Sequence, residues 1–368
     1  MAPMRLSTTL LLSCGVLLAL VAGGDAGKKP SIAIVDEKFF HLEVVAGVMH
    51  VLSPYADSTT VFLHPLNFPS RPVDYGFMDL FERSDVTLRA LPVLSIPHYD
   101  IMIFISPEYR VDYVRELIDK SRPKAVVAWV HNGDSRGALH MPQLHPNTHV
   151  FTLSPHVSKY VGNVLQMDVP WVLPLLGLDP VDPCDNARLT ECLSGFAIQG
   201  NMDSRRRNYT VIWEEMESLL KASEKLRSDP RFVINVVGSG DPKKLLCPET
   251  LCPIDAVGKL AGGSSGIQRV VPNVGLRFLD FYSLIYRSFA LIPTIASDAY
   301  FDRKFSSTVI TSLVTGTPAI VTPQFLEAYT FLDESTVFLR TENQTDLDIA
   351  QRVLKMGASE LAAARERV

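Results

Sequence analysis

Short apolar runs alternate with amphipathic helical patterns along most of this chain, in two successive series. In the first series, strand-like runs at 30–36, 99–106, 124–132 and 148–154 are separated by helical patterns such as the one at 39–52. Strands that alternate with helices form a parallel sheet that helices cover on both faces. The alternation therefore predicts an α/β fold.

A segment rich in proline and aspartate separates the two series, and we assign a linker to 179–193. The second series then begins with strand-like runs at 194–200 and 231–240. A chain of 368 residues is long enough for two domains of ordinary size. We therefore expect two Rossmann-like parallel-sheet domains, at 30–178 and 194–368, that face each other across a cleft.

The charge balance narrows the range of partners. The formal net charge is −5, and 20% of the residues are charged. A net negative charge gives no bulk attraction to nucleic acid or to anionic lipid. We therefore expect no nucleic-acid partner, and any phosphate recognition must come from local basic residues.

The N-terminal segment has the pattern of a targeting sequence. An apolar stretch from about residue 6 to residue 21 follows one arginine and precedes small residues, so residues 1–26 read as a secretory signal peptide or a signal anchor. We expect a protein of the secretory pathway, in the lumen of the endoplasmic reticulum or Golgi or outside the cell. It would be held at a membrane only if this segment is retained. Two glycosylation sequons, at Asn208 and Asn343, agree with secretion.

Four cysteines remain when the N-terminal segment is set aside, and they form two close pairs. Cys184 lies eight residues before Cys192, and Cys247 lies five residues before Cys252. Local disulfides within each pair are expected in an oxidising compartment. Neither spacing matches the pairs of a structural zinc site, and no histidine stands beside them, so no metal is expected.

Three hydroxyl residues precede an apolar helical run near the C-terminal end. Ser306, Ser307 and Thr308 occupy the start of this run, Gly316 ends it, and a short strand-like segment follows. Two interpretations are open at this point. The hydroxyls either cap the helix, or the helix N-terminus and the neighbouring Lys304 together bind an anion.

Five segments occur in the order found in glycosyltransferases of the GT-B fold. GFAIQGNMDSRRRNY, FVINVVGSG and SSTVITSLVTGTPAIV resemble three parts of the family's donor domain. VAWVHN and VFTLSPHVSKYV resemble the last two strands of its acceptor domain. The resemblance extends over nearly all of the chain beyond the N-terminal segment.

The resemblance implies a hexosyltransferase-like enzyme that moves a sugar from a nucleotide-sugar donor to a glycan, protein or lipid acceptor. It implies that protein groups and not a metal stabilise the diphosphate, and that the nucleotide sugar is a co-substrate with no other cofactor. The donor-binding positions that it implies are Gly200, Arg206, Arg207, Gly238, Lys304, Ser306, Ser307, Thr308 and Glu327.

Candidate catalytic residues follow two strands of the first series. Asp36 and His41 lie at and after the end of the first strand-like run, and His131 lies at the end of the run at 124–132. The carboxyl ends of these strands meet at the edge where such sheets bind ligands, so a histidine or carboxylate there could act as a general base. The alternative is structural, with Asp36 at a helix start and His41 half exposed.

One departure from the family pattern keeps a second function open. Many retaining members carry two glutamates at the positions of Arg303 and Thr311. These glutamates hold the donor sugar and the ribose of the nucleotide, respectively. Neither residue here offers a carboxylate acceptor. The alternative function is therefore a catalytically silent, sugar-binding or partner-binding protein of the same fold. Retention and inversion of the sugar configuration are both open.

Overall fold

The computed structural model describes residues 29–38, 41–67, 76–80, 86–252 and 268–368. The residues expected to form the signal peptide or anchor lie outside these ranges. Within them, no helix is both long enough and apolar enough to cross a membrane. The chain divides into two compact units, one of residues up to Gly177 together with Phe301–Phe305, the other of Leu178–Tyr300 and Ser306–Val368.

The first unit is built on a six-stranded sheet in which every adjacent pair of strands is parallel. Across the sheet the strand order is β3-β2-β1-β4-β5-β6. The chain builds outward from β1 on one side and then returns to build outward from β4 on the other. The carboxyl ends of β1 and β4 therefore form a topological switch point, where sheets of this class bind ligands. The strands are β1 (Ser31–Asp36), β2 (Ser58–Leu63), β3 (Val86–Ala90), β4 (Ile101–Ile105), β5 (Ala125–Val130) and β6 (Thr148–Thr152).

The α-helices of the first unit are α1 (Leu42–Leu52), between β1 and β2, α2 (Val111–Ser121), between β4 and β5, and α3 (Pro155–Leu165), after β6. Strands β4 and β5 are buried along their whole length, which fits their continuous apolar sequences. The buried strand residues and the inner faces of α2 and α3 form one apolar core. This agrees with the helix-covered parallel sheet expected from the sequence.

The second unit contains a parallel three-stranded sheet of β7 (Phe196–Gln199), β8 (Ile234–Gly238) and β9 (Val270–Val274). Two short parallel strands, β10 (Ile320–Val321) and β11 (Phe338–Leu339), pair separately. Leu291 forms parallel bridges to both Ala197 and Ala319, so it links the two sheets. The helices are α4 (Leu189–Cys192), α5 (Tyr209–Ala222), α6 (Glu224–Ser228), α7 (Phe278–Tyr286), α8 (Ala299–Asp302), α9 (Ser307–Thr315), α10 (Pro323–Ala328), α11 (Asp346–Leu354) and α12 (Ala358–Glu366), with α8 shared by the two units.

Helix α9 and strand β10 confirm the helix-then-strand order expected near residue 310. Gly316 ends the helix with a φ of 59°, a left-handed conformation that glycine adopts without steric cost. The chain then enters β10 at Ile320. Helix α9 therefore ends at Gly316 and is connected directly to strand β10, which fixes the position of the helix and of its N-terminus.

One of the two expected disulfides is present. Cys184 and Cys192 are joined by a disulfide bond. Cys247 and Cys252, which the sequence led us to pair, are instead free cysteines. The thiol of Cys247 donates to the carbonyl oxygen of Pro248 at 3.8 Å, and interaction with the neighbouring Cys252 thiol, together with burial, raises the pKa of Cys247.

Helix α1 packs closely on the segment that leads out of the first unit. A Cβ at Gly47 would lie 2.3 Å from the carbonyl oxygen of Pro174, a distance that real contacts do not show. We expect Gly47→Ala to lower the unfolding free energy by roughly 1–3 kcal/mol, because overpacking outweighs the roughly 1 kcal/mol gain in helix propensity. Scanning calorimetry measures the effect, with the exposed His50→Ala on the same helix as the control. An unchanged melting temperature for Gly47→Ala would contradict this packing.

Candidate functional site

Two groups of residues, one in each unit, have the properties of binding or catalytic sites. The first lies at the carboxyl ends of β1, β4 and β5. Asp36 ends β1, Ser106 follows β4, and His131 follows β5. Parallel neighbouring strands bring these three ends to one edge of the sheet, as the sequence indicated.

His131 is held in a buried position by neighbours on both sides. It is 5% exposed, and its Nδ1 lies 2.9 Å from the hydroxyl oxygen of Ser106. The ring of His41 lies against it, with centroids 4.0 Å apart and planes inclined by 30°. Burial, and secondarily the charge that His41 can carry, lowers the pKa of His131 well below its usual value. His131 is therefore neutral.

His41 is the more accessible ring of this pair, with a side chain that is 23% exposed. Its carbonyl oxygen accepts the N–H groups of Val44 and Val45, so its backbone begins helix α1. Its Nδ1 lies 3.7 Å from a carboxylate oxygen of Glu43. A carboxylate beside Nδ1 orients an imidazole so that Nε2 can accept a proton.

Asp36, the third candidate, is fully buried. Its Oδ1 accepts the backbone N–H of Lys38, so the carboxylate shapes the turn after β1. Burial raises its pKa well above the usual value. These contacts favour the structural role that the sequence left open for Asp36, while the structure brings His41 and His131 together.

Glu108 is a member of this site that sequence reasoning missed. Its Oε1 accepts the backbone N–H groups of His131 at 3.1 Å and of Asn132 at 2.9 Å. The residue is 3% exposed, and burial raises its pKa to about 7. The available signal was an acidic residue directly after a buried strand, at the edge already chosen for Asp36 and His131.

Backbone strain is concentrated at the two sites. Six described residues other than glycine have positive φ, and three of them are accounted for as helix C-caps. The others are His41, Ser106 and Thr294. His41 and Ser106 both contact His131, and the carbonyl of Thr294 accepts the N–H of Asn208, beside Arg207. Such conformations cost free energy and are typical of functional sites.

The second group surrounds Arg207, which is only 6% exposed. Its Nη2 donates to the carbonyl oxygen of Gln199 at 2.8 Å and to the hydroxyl oxygen of Thr308 at 3.2 Å. The Thr308 hydroxyl in turn donates to the side-chain oxygen of Gln199 at 3.0 Å. The end of strand β7, the loop after it and the first turn of helix α9 therefore meet at one guanidinium group.

Arg207 has no acidic partner among the residues that the structure describes. Among the strongest electrostatic influences on Arg207 are Tyr300, Tyr209, Arg206 and Tyr329, and none of these is a carboxylate. Its Nε and Nη1 are buried without a hydrogen-bond partner in the described part of the chain. Burial lowers the pKa of Arg207 accordingly.

The other two arginines of the run differ from Arg207 in their surroundings. Arg205 is exposed and forms a salt bridge with Asp203, with Nη2 and Oδ2 2.7 Å apart. Arg206 is exposed. Arg206 therefore differs from both neighbours: it is exposed, unlike Arg207, and it has no salt bridge to Asp203, unlike Arg205.

The start of helix α9 carries the three predicted hydroxyl residues. Ser306 is the N-cap, yet its side chain makes no capping hydrogen bond. Its backbone N–H donates to the hydroxyl of Tyr329 at 3.1 Å, and this hydroxyl donates to the carbonyl of Tyr300. The Ser307 hydroxyl lies 3.4 Å from the side-chain nitrogen of Gln199. The hydroxyls of Ser307 and Thr308 thus belong to the Arg207 network, and simple capping does not describe them.

The two predicted glycines allow the backbone to come close at the ends of β7 and β8. A Cβ on Gly238 would lie 1.9 Å from the carbonyl oxygen of Gly200, and a Cβ on Gly200 would lie 2.8 Å from Nη2 of Arg207. Both positions have positive φ. The glycines therefore allow the close approach that places Arg207.

Lys304 and Glu327 are predicted donor-binding residues whose described contacts do not include Arg207. Lys304 belongs to the first unit, where it forms an antiparallel bridge with Asn132 and its carbonyl oxygen lies 3.0 Å from Nε2 of His156. Glu327 is exposed on helix α10. Neither residue has a described contact with the Arg207 network.

The two positions that depart from the family pattern have local roles. The hydroxyl of Thr311 donates to the carbonyl of Ser307 within helix α9. Arg303 forms salt bridges with Asp134 and Asp302 in the first unit. Within the described ranges no group of three histidine, cysteine or acidic residues could hold a metal ion.

Comparison with solved structures confirms the fold expected from the motif order. Anabaena Alr3699/HepE, crystallised with UDP and glucose, is 13% identical, with a TM-score of 0.56 over 92% of this chain and 94% of its own. WaaG, a glycosyltransferase involved in lipopolysaccharide biosynthesis, is 14% identical, with a TM-score of 0.54 over 91% and 94% of the two chains. The chain therefore has the GT-B fold.

A solved structure that is not described as a glycosyltransferase is also similar to this chain. The N-terminal domain of a Candida albicans trehalose-6-phosphate phosphatase is 10% identical, with a TM-score of 0.52 over 92% of this chain and 91% of its own. No family model matches the sequence, and no curated protein matches it either. At these identities the likeness establishes the fold alone, and the function must be argued from the sites.

Glu108 makes the stability of the first unit dependent on pH. Its pKa is about 7 in the folded chain against 4.5 for an unperturbed group, so between these values the unfolded chain binds fewer protons and the unfolding free energy falls as pH rises. Glu108→Gln keeps an oxygen acceptor and cannot ionise. We expect its stability relative to wild type to increase by on the order of 3 kcal/mol across this window, measured by urea unfolding. Parallel stability curves for the two proteins would contradict the burial of an ionisable group here.

Proposed function

We propose that this protein is a glycosyltransferase that binds a nucleotide-sugar donor through its second unit and uses the first unit for the acceptor. The GT-B fold supports this proposal, since HepE, which shares it, binds UDP and UDP-glucose. The distribution of chemical groups also supports it. Cationic and hydroxyl groups gather in the second unit, whereas the histidine pair lies in the first.

The observation that carries the proposal is the buried, unneutralised Arg207 at the start of helix α9. A buried cation is unfavourable unless an anion compensates it. The N-terminus of a helix adds a partial positive charge of its own, so here two positive groups lie together. A diphosphate would neutralise both and would accept hydrogen bonds from Nε and Nη1 of Arg207, which have no partner among the described residues.

The same groups suit the chemistry of the leaving nucleotide. Sugar transfer breaks the bond between the anomeric carbon and the diphosphate oxygen, and the electron pair of this bond remains on the diphosphate. Fixed donors such as Arg207 and the first N–H groups of α9 stabilise this growing charge without reorganisation. Arg206, which is exposed beside them, adds long-range attraction for the anionic donor. The protein groups thus take the role that a metal ion has in other transferases.

For the acceptor we propose His41 as the proton-accepting residue. In a direct displacement, His41 takes the proton of the acceptor hydroxyl while the hydroxyl oxygen forms a bond to the anomeric carbon. Its side chain is partly exposed, whereas His131 is buried, so His41 is the ring that an acceptor can reach. This displacement inverts the configuration of the sugar.

A second candidate function is a catalytically silent protein that binds a sugar nucleotide or a partner. The contacts of Arg303 and Thr311 favour it, because neither side chain can replace the missing glutamates. The Arg207 network would be retained in such a protein. Binding without turnover is therefore its signature.

For the compartment we propose the secretory pathway, in agreement with the N-terminal sequence. The disulfide between Cys184 and Cys192 supports an oxidising environment. Asn208 and Asn343 are both exposed, as glycosylation requires. Loss of mass from the purified protein on treatment with a glycosidase for N-linked glycans tests the compartment directly.

Arg207→Met tests the donor site. We expect UDP or GDP to raise the melting temperature of the wild-type protein, because a ligand that binds only the folded state stabilises it. Arg207→Met should weaken the binding by about 10-fold to 100-fold, the value of a charge-assisted hydrogen bond, because the cation and its unpartnered donors are lost. Arg205→Met, which removes an exposed and paired arginine, is the control. A structural role alone predicts unchanged nucleotide affinity in Arg207→Met, whatever the change in stability.

Nucleotide release from UDP-sugars and GDP-sugars without acceptor separates the two candidate functions. An active transferase leaks slowly to water, and we expect His41→Gln to reduce this release by about 10²-fold to 10⁴-fold, the usual contribution of a general base. Nucleotide affinity, measured by calorimetry, should stay unchanged in this variant. Binding by the wild-type protein with no release from any donor would instead support the silent binding protein.

A further inference from the structure

We propose that Ser106 and Glu108 are positioning residues that hold His131 as a neutral ring in a single tautomer against His41, so that a proton accepted by the pair resides on His41. The catalytic meaning of this inference rests on the proposed function. The geometry itself does not, and it can be tested without donor or acceptor.

The first step is the fixation of His131 at three points. Glu108 binds its backbone N–H, Ser106 binds Nδ1, and His41 covers its ring at 4.0 Å. The loops that carry these groups are also joined, because the Ser135 hydroxyl donates to the carbonyl of Glu108. A Cβ at Gly137 would lie 1.9 Å from the same carbonyl oxygen, so the two loops cannot separate or shift without breaking this contact.

The second step is the choice of tautomer. Nε2 of His131 is buried and has no hydrogen-bond partner in the described part of the chain. A buried N–H without an acceptor is rarer than a buried acceptor without a donor. The arrangement therefore favours a proton on Nδ1, which donates to the Ser106 oxygen, and leaves Nε2 as an unprotonated acceptor.

The third step concerns charge. Two imidazolium rings at 4.0 Å would repel each other, so only one of them can be protonated at low cost. His131 is buried, whereas His41 is partly exposed and has Glu43 beside its Nδ1. The other ionisable groups at this edge are Glu108, which accepts backbone N–H groups, and Asp36, Glu37 and Lys38, which interact with one another. The exposure of His41 and the carboxylate beside its Nδ1 direct the proton to His41.

The purpose of such an arrangement is to keep the proton-accepting group in one orientation. His41 has positive φ and begins helix α1, so its backbone is fixed. A flat, neutral ring on one side then fixes its side chain. Precise orientation of a catalytic group matters because small misplacements cost large factors in rate.

Imidazole NMR tests the inference directly. The full chain is labelled with ¹⁵N-histidine, two-bond ¹H–¹⁵N spectra are recorded between about pH 5 and pH 8, and His131 is assigned from the signals lost in His131→Gln. We expect His131 to remain the neutral Nδ1–H tautomer throughout. Ser106→Gly should give a mixture of tautomers, and glycine suits the left-handed φ of 56° at this position, so the variant should fold. Thr87→Ala, which removes an exposed hydroxyl from strand β3 of the same unit, should leave the His131 signals unchanged.

Glu108 is tested in the same spectra by two substitutions. Glu108→Gln retains an oxygen for the N–H groups of His131 and Asn132, so the wild-type tautomer should be kept. Glu108→Leu removes this oxygen, and the His131 signals should then show both tautomers. Protonation of His131 in the wild-type protein within this pH range, an unchanged tautomer in Ser106→Gly, or an unchanged tautomer in Glu108→Leu would overturn the proposal.

A kinetic measurement connects the geometry to the reaction. In Ser106→Gly we expect kcat for nucleotide release to fall about tenfold with KM unchanged, because positioning and not donor binding is lost. Equal rates for the variant and wild type would overturn the positioning role. If the wild-type protein releases no nucleotide, the proposed function fails, and the NMR result still decides the arrangement of the histidines.

Discussion

A buried arginine without a carboxylate partner organises the second unit of this protein. The end of strand β7 accepts one hydrogen bond from Arg207, the first turn of helix α9 accepts another, and the backbone of Arg207 forms an antiparallel bridge with Ile295. Three separate segments therefore depend on a charge that the described protein groups do not neutralise. Burial of this kind is costly, and an anionic ligand at the helix N-terminus removes the cost.

In the proposed function, the first unit places the proton acceptor. The order in which strands are added to its sheet reverses between β1 and β4, and this switch point gathers groups from strands that are distant in sequence. His131 is buried and neutral, and it supports His41. A site for anion binding and a site for proton transfer are the two elements that transfer from a nucleotide sugar requires.

The sequence predicted more of the fold than of the sites. The periodicity of apolar residues and the order of the motifs were sufficient to predict the parallel sheets, helix α9 and the end of this helix at Gly316, because these features depend on local patterns. Glu108 was missed, since its role comes from backbone N–H groups more than twenty residues away. The sequence could not distinguish Arg206 from Arg207, because their opposite exposure depends on how the loop packs against α9. Likewise, a spacing of five residues led us to pair Cys247 with Cys252, although local geometry leaves them as two thiols.

A crystal structure of the protein with UDP is the most direct measurement of how Arg207 is neutralised. We predict that the diphosphate lies at the start of helix α9, with its oxygens within hydrogen-bonding distance of Nε or Nη1 of Arg207 and of the N–H groups of Ser307 and Thr308. UDP bound elsewhere, with Arg207 still buried and without an anion, would contradict a donor site at this position.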